Sequence, residues 1–121
     1  LGGGGTATAR TAGIAKRGVR NLLRHAGILQ GEVERAPSRW LDMPSADCFR
    51  FAEQDGMAET CVDLGDPVRK GEVIARIHPV DRTGQAPAEY RAALDGILAA
   101  RHFPGLVKAG DCLAVIGTVE G

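Results

Sequence analysis

The hydrophobic residues near the start of the chain follow a helical pattern. They recur at spacings of four, three, four and three, as Ala15, Val19, Leu22, Ala26 and Leu29. Such spacing places apolar side chains on one face of a helix. A preceding threonine (Thr6 or Thr8) can cap the first turn, and Gly27 stands where a glycine ends many helices. We therefore predict one amphipathic helix between residues 8 and 29.

Two glycines, Gly13 and Gly18, lie inside this pattern. Each costs an isolated helix about 1 kcal/mol relative to alanine. They are better explained if the helix backbone lies close to another element, and the rest of the chain offers little material for one. The pattern thus predicts a helix that belongs to a larger domain.

Residues 31–46 indicate a linker, because prolines and serines interrupt any regular pattern there. Trp40 and Leu41 within it are expected to hold it against a surface. We therefore divide the chain into a helical segment at 1–30, the linker, and a second domain at 47–121.

Short strands follow the linker. "CFRFAEQ" alternates between apolar and polar residues, and "VIARIH", "GILAARHF" and "CLAVIG" each suit a strand of about six residues. The dipeptide "DG" at 55–56 and again at 95–96 is typical of hairpin turns. The region is predicted to be mainly β.

The β region contains an internal repeat. Residues 67–77 read "PVRKGEVIARI" and residues 106–116 read "LVKAGDCLAVI", which match at a constant offset of 39. The identical pairs are Val68 and Val107, Gly71 and Gly110, Ala75 and Ala114, and Ile77 and Ile116. The glycine in each turn allows a positive φ, and the alternating run after it returns as a strand. Two such units predict a small barrel or sandwich with pseudo-twofold symmetry.

The first copy, "GDPVRKGEVIARI", resembles the motif found in each half of the biotinyl/lipoyl-type barrel-sandwich fold. That resemblance implies a barrel-sandwich domain. Carrier domains of this fold present a lysine, typically flanked by Met, on the hairpin between the halves. The corresponding "HPVDRTGQAPAEYRAALDG" has neither Lys nor Met. The lysines Lys16, Lys70 and Lys108 lie elsewhere, so we do not expect a biotin or lipoate carrier.

Composition adds a charge asymmetry. The chain has 121 residues, 44% of them hydrophobic and 25% charged, as in an ordinary globular protein. Its net charge is zero, but residues 1–30 carry five basic residues and no acidic one, whereas residues 31–121 carry ten basic and fifteen acidic. Basic segments can bind nucleic acid or membranes, but five charges without aromatic neighbours form a sparse patch. We expect the segment to dock on an acidic surface such as one in its own protein, and we expect neither a nucleic-acid nor a membrane partner.

The cysteines and histidines predict little chemistry. Cys48, Cys61 and Cys112 lack CxxC spacing and lie in apolar patterns, so we expect buried thiols rather than a zinc finger or disulfides. No signal peptide or apolar run of about 18 residues is visible, which favours the cytoplasm. His78 and His102 have no zinc-ligand spacing, so no metal site is expected in this chain.

Four polar residues near loops and strand ends could contact a substrate at the entrance to a site: Arg82, Tyr90, Arg101 and His102. A solvated rim is the alternative explanation for them. The opening "LGGGG" precedes a helix as an anion-binding loop does, but it lacks the Lys-Ser/Thr of a P-loop.

Four stretches in order resemble the C-terminal third of the succinylglutamate desuccinylase/aspartoacylase family: "LGGGGTATA", "AKRGVRNLLRHAGIL", "DGMAETCVDLGDPVRKGEVIARIH" and "RHFPGLVKAGDCLAVIG". Within the family, the chain is most similar to the N-acetyl-diaminobutyrate deacetylase-like branch linked to ectoine breakdown. The resemblance implies a parent enzyme in which a carboxypeptidase-like α/β zinc-hydrolase domain precedes a β-barrel domain. The helix at 1–30 would belong to that zinc-hydrolase domain.

The resemblance also implies chemistry that lies upstream of Leu1. In the family, zinc bound by two His and one Glu activates water to cleave an N-acyl amide, and another Glu assists proton transfer. No catalytic or metal-binding residue is therefore assigned in this chain, and zinc is expected only in the parent. The glycines that would follow the catalytic Glu are expected to form an active-site wall: Gly2, Gly3, Gly4 and Gly5.

The resulting hypothesis is a non-catalytic C-terminal fragment of a zinc-dependent deacylase. Its substrate would be a small acylated amino acid of the N-acetyl-diaminobutyrate, N-succinylglutamate or N-acetylaspartate type. Its partner would be the upstream catalytic domain, its barrel would shape substrate access, and its oligomeric state stays open. The alternative is a stand-alone lipoyl-like binding module with no enzymatic role.

Overall fold

A computed structural model describes residues 7–119. These residues contain one α-helix, α1 (Ala9–His25), one short 3-10 turn (Ala46–Cys48) and nine strands. The strands are β1 (Leu41–Asp42), β2 (Phe49–Phe51), β3 (Gly56–Thr60), β4 (Pro67–Val68), β5 (Val73–His78), β6 (Ala88–Arg91), β7 (Gly96–Arg101), β8 (Leu106–Val107) and β9 (Cys112–Val119). The chain forms two compact units, a helical unit that ends at Ser38 and a β unit that begins at Arg39. The prediction of a mainly β protein with one helix is confirmed.

Local hydrogen bonds define both ends of α1. Thr8 and Thr11 form a capping box, in which each backbone N–H donates to the hydroxyl of the other residue, at 2.9 and 3.2 Å. At the other end Gly27 has a φ of +72°, and its N–H donates to the carbonyl of Arg24 at 3.0 Å. Of the two threonines predicted as possible caps, Thr8 is the N-cap, and the predicted stop at Gly27 is confirmed. The helix ends at His25, so Ala26 and Leu29 of the predicted apolar pattern lie beyond its last residue.

The apolar stripe of α1 is exposed. Val19 and Leu22 are 58% and 65% exposed, and a side chain built on either glycine inside the helix would meet no atom within 4 Å. The segment after the helix packs on its polar side instead. There the amide of Asn21 exchanges two hydrogen bonds of 2.7 Å with the backbone of Glu34. The described part of the helical unit therefore leaves the stripe uncovered.

The β unit consists of two antiparallel sheets. One has the order β1-β9-β7-β4, with β2 also paired to β9, and the other has the order β6-β5-β3-β8. Strands β2–β5 form a first half of the unit and strands β6–β9 a second half, and each sheet takes two strands from each half. The equivalent strands of the two halves are β2 and β6, β3 and β7, β4 and β8, and β5 and β9. Replacing each strand by its equivalent converts the order β2-β9-β7-β4 into β6-β5-β3-β8. The repeat therefore folds as two interlocked halves related by an approximate twofold exchange.

Equivalent hydrogen bonds join the halves at the repeat turns. The carboxylate of Asp95 accepts from the N–H of Lys70 at 2.7 Å, and that of Asp55 accepts from the N–H of Ala109 at 2.8 Å. Each aspartate thus belongs to one half and binds the turn of the other. The turn glycines have the positive φ that the repeat predicts: +87° at Gly71 and +94° at Gly110.

The core follows the same exchange. Buried residues form two clusters, one of Ala52, Ala75, Ile77, Tyr90, Val107 and Leu113, the other of Val68, Ile74, Ala92, Leu98, Ala114 and Ile116. Each residue of one cluster has its repeat equivalent in the other cluster, except Tyr90 and Leu98. Ile77 and Ile116 are fully buried at equivalent points in them. Each cluster draws on both halves, so neither half has a core of its own.

The "DG" dipeptides are not hairpin turns. The strands on either side of each dipeptide pair in different sheets. Glycine is required there because a Cβ on Gly56 would lie 2.4 Å from the carbonyl oxygen of His78, and one on Gly96 would lie 2.5 Å from that of Gly117. The hairpin prediction is wrong because the chain crosses between sheets at these points.

Candidate functional site

Strands β2 and β6 line a surface groove and reach across to each other. Arg50 in β2 donates from Nε to the carbonyl oxygen of Arg91 in β6 at 2.7 Å. The hydroxyl of Tyr90 in β6 accepts from the N–H of Glu53, just beyond β2, at 3.0 Å. Arg50 and Tyr90 occupy equivalent positions in the two halves, so the groove lies where the halves meet.

The groove has the residue types of an anion site, but both of its arginines already donate to groups of the fold. Arg50 Nη1 donates to the carbonyl of Phe49 at 3.0 Å, and Arg91 Nη1 donates to that of Gly71 at 2.8 Å. Arg91 also pairs with Glu89. These contacts direct part of each guanidinium group to the fold itself, so the groove residues connect the two halves.

A row of alternating charges crosses the outer face of the four-stranded sheet. Its members, the charged row, are cross-strand partners: Glu59 in β3, Arg76 in β5 and Glu89 in β6. Arg76 donates from Nη1 to Glu59 at 3.1 Å and from Nε to Glu89 at 3.4 Å. His78 Nε2 lies 2.7 Å from the second oxygen of Glu59. The side chains of the row are 35–45% exposed, so each ion pair contributes little stability and the row suits a surface that faces water.

The electrostatics of the charged row favour a structural role. The hydrogen bond with His78, assisted by the charge of Arg76, holds the pKa of Glu59 below its usual range. The hydrogen bond to Glu89 raises the pKa of Arg76. Cys61 lies beside the row, with Sγ 3.6 Å from Arg76 Nη1, and burial of its thiol raises the pKa although the residue as a whole is exposed. These shifts keep the carboxylate ionised and the thiol protonated, the reverse of what a general acid or a reactive thiol needs.

The thiols differ in exposure. Cys48 is buried as predicted, Cys112 is half-buried and Cys61 is exposed. The prediction of a buried thiol is wrong at Cys61 because this residue follows the end of β3 on the outer side of its sheet.

Replacing Glu59 with glutamine should reduce the acid sensitivity of the β unit. A carboxyl group whose pKa is lowered by folding stabilises the native state above its unfolded pKa, about 4.3 for glutamate, and this stabilisation is lost as the pH falls through the lowered folded pKa. In Glu59→Gln the urea midpoint should therefore fall less on acidification below pH 5 than in the wild type. The effect is small because the pair is exposed. Glu32→Gln, in the helical unit, is the control, and equal acid sensitivity of Glu59→Gln and wild type would contradict the assignment.

The four sequence-predicted substrate-access residues lie on different elements. Arg82 is in the loop between β5 and β6 with its side chain 73% exposed, and Tyr90 is buried in the core. Arg101 ends β7 beside a shallow hollow, and the ring of the following His102 lies 3.2 Å from the carbonyl oxygen of Leu106. Tyr90, Arg82 and Arg101 line three different surface hollows.

Residues 7–119 contain no group of three or more His, Cys, Asp or Glu side chains that could hold a metal ion. Glu59 and His78 form a pair, but Arg76 occupies the other oxygen of that carboxylate. The glycines at 2–5, expected to form an active-site wall, lie outside the described residues.

The described helix is too short and too polar to cross a membrane.

Comparisons with known proteins match nearly the whole chain. The N-alpha-acetyl-L-2,4-diaminobutyric acid deacetylase of Halomonas elongata is 50% identical over 121 residues, which cover 98% of this chain and 35% of that protein. The product-bound structure of the ectoine utilization protein EutE (DoeB) from Ruegeria pomeroyi matches with a TM-score of 0.88 and 56% identity, over 98% of this chain and 36% of that one. A succinylglutamate desuccinylase/aspartoacylase from Rhodobacter sphaeroides matches with a TM-score of 0.85 and 32% identity, over 96% and 38%. The chain thus spans about a third of the length of these relatives. No protein-family model matches it.

Proposed function

Because this chain belongs, by sequence and by fold, to the succinylglutamate desuccinylase/aspartoacylase family, we propose that it is the C-terminal, non-catalytic part of an N-acyl amino-acid deacylase. The observation that carries this proposal is the 50% identity to a diaminobutyric acid deacetylase across 98% of the chain. The proposed reaction is hydrolysis of the amide bond in N-acetyl-diaminobutyrate. N-succinylglutamate and N-acetylaspartate are the related alternative substrates.

Zinc is proposed for the whole enzyme and assigned outside residues 7–119. The described residues do not fit a zinc site, since Glu59 and His78 are only two ligands and the carboxylate is shared with Arg76. When bound in the whole enzyme, zinc would activate the water that attacks the amide. The glycines at 2–5 are proposed to line that active site.

Arg82 is the residue of the β unit best suited to reach a substrate. Its guanidinium stands on an exposed loop, and guanidinium groups bind carboxylates such as that of an acyl amino acid. Arg101 is the second candidate, on an exposed strand end. Tyr90 and His102 already contact backbone groups of the unit, so their proposed contribution is to hold its shape.

The exchange of strands between the two halves supports a barrel-sandwich interpretation of the β unit. In this proposal the unit shapes access to the active site and its partner is the upstream catalytic domain. A stand-alone lipoyl-like module has no support, since the relatives are longer proteins that include this region, and one of them is a diaminobutyric acid deacetylase.

The proposal is tested by assaying the full-length protein beside the 121-residue chain. The full-length protein should bind about one zinc ion per chain and release acetate from N-acetyl-diaminobutyrate, whereas the 121-residue chain should do neither. Metal content by mass spectrometry and product formation measure the two properties. Chelation followed by zinc restoration is the control, because it should abolish and then recover activity. Hydrolysis by the 121-residue chain alone would contradict the proposal.

A further inference from the structure

The outer faces of the two sheets have opposite chemistry at equivalent positions. The positions of the charged row are taken on the five-stranded sheet by Phe49 in β2, Val115 in β9 and Ala100 in β7. Phe49 pairs with Val115, and Val115 with Ala100. Phe51 extends this apolar row, with its ring centroid 6.4 Å from that of Phe49. We propose that the apolar row is the docking face for the remainder of the deacylase polypeptide, the region that the relatives have beyond these 121 residues.

The charged row provides an internal comparison for the apolar row. The two halves share one strand order, and β7 differs from β3 by a register shift just before Ala100. The rows occupy equivalent positions with different side chains. Arg76 pairs with Glu59 and Glu89, and such charged groups are stable in contact with water. The equivalent Val115 lies beside Phe49, and both side chains are apolar. Phe51 is 53% exposed in the described structure. The equivalent position on the four-stranded sheet holds the charged Arg91. Equivalent positions of the two sheets thus carry charged side chains on one outer face and apolar side chains on the other.

The occupant follows from the path of the chain. Strand β1 pairs with β9 at the edge of the same sheet, and Trp40, directly before β1, is 78% exposed. The polypeptide therefore enters the β unit on the sheet that carries the apolar row. A partner joined through this connection acts at an effective concentration of about millimolar order.

The size of the apolar row favours the same occupant. A stable complex of separate chains buries about 20–30 residues on each side. Four side chains with a few neighbours fall far short of that, so a second copy or a separate protein would bind weakly. A covalently joined domain needs no such area. This argument rests on the proposed function, which supplies the rest of the polypeptide.

Two variants with matched exposure test the docking face. Phe51 and Met57 are each 53% exposed, one on the outer face of each sheet. In the 121-residue chain, Phe51→Glu and Met57→Glu should both unfold at urea midpoints close to that of wild type. In the full-length protein Phe51→Glu should lower the melting temperature by several degrees and Met57→Glu should not. Equal effects of the two variants in the full-length protein would overturn the proposal.

Two native cysteines give a second readout without any substitution. Cys112 pairs with Phe51 at the apolar row, and Cys61 lies beside the charged row. N-ethylmaleimide should label Cys112 at least about tenfold more slowly in the full-length protein than in the 121-residue chain, because docking restricts access, while Cys61 should change little. Peptide mass spectrometry separates the two sites.

The outcomes distinguish this inference from the proposed function. If the full-length protein hydrolyses N-acetyl-diaminobutyrate but Cys112 reacts as fast as in the 121-residue chain, the docking face is wrong and the deacylase proposal stands. If Cys112 is protected without any hydrolysis, docking stands and the deacylase proposal fails. If Cys112 becomes protected in the 121-residue chain as its concentration rises, a second copy occupies the face and the proposed occupant is wrong.

Discussion

Replacing Gly56 with alanine should destabilise the β unit by about 3 kcal/mol, and Gly96→Ala should have a similar effect. The added Cβ at Gly56 would lie 2.4 Å from the carbonyl oxygen of His78, and the one at Gly96 would lie 2.5 Å from that of Gly117. In both cases the nearest atom is backbone of a paired strand, which cannot rotate away as a flexible side chain can. The strand must shift, and the core beneath it shifts too.

Urea unfolding of the 121-residue chain measures this effect, with Gly105→Ala as the control. A Cβ on Gly105 would meet no atom within 4 Å, so that variant should stay within about 0.5 kcal/mol of wild type. A domain of this size has roughly 5–15 kcal/mol of stability, so the loss at Gly56 is a large fraction of it. Equal urea midpoints for Gly56→Ala and Gly105→Ala would show that β3 and β5 do not approach each other closely at Gly56.

Truncating either fully buried isoleucine should cost about 2–5 kcal/mol. Ile77 and Ile116 have no exposed surface and occupy equivalent points in the two core clusters. Removing three carbons from either leaves a cavity that the surrounding strands fill only in part. Val80→Ala is the control, since Val80 is apolar but 62% exposed.

The two isoleucine variants should also unfold in the same way. Each sheet contains strands of both halves, so loss of one core cluster removes support from the other. The β unit should therefore unfold in a single transition, and Ile77→Ala and Ile116→Ala should each lower its urea midpoint by a similar amount. Two separate transitions, only one of them shifted by each variant, would contradict the interlocked arrangement of the halves.

Local features of the fold could be predicted from the sequence. The Thr8 cap, the Gly27 stop, the strand at Val73–His78 and the positive φ at Gly71 are all set by neighbouring residues. The hairpin prediction for the "DG" dipeptides is wrong because their glycines are required by a contact with a strand distant in sequence. A hairpin turn and a crossing between sheets select the same residue for different reasons, and the sequence alone does not distinguish them.

The charged row shows what sequence patterns could not supply. Glu59, Arg76 and Glu89 each stand at an outward position of an alternating strand, which was visible. Their pairing depends on the order β6-β5-β3, in which β6 belongs to one half and the other two strands to the other. The repeat did contain one usable signal, since Arg76 and Val115 lie at its offset of 39 and differ in polarity. A polarity difference at matched positions of a repeat indicates that the outer faces of the two sheets differ in chemistry.

The measurement that tests the central claim most directly is hydrolysis of N-acetyl-diaminobutyrate by the zinc-loaded full-length protein. The kcat/KM for this substrate is compared with those for N-succinylglutamate and N-acetylaspartate under the same conditions. We expect turnover of N-acetyl-diaminobutyrate, with a higher kcat/KM than for the other two. Failure of the folded, zinc-loaded protein to hydrolyse any of the three would contradict the assignment of this chain to an N-acyl amino-acid deacylase.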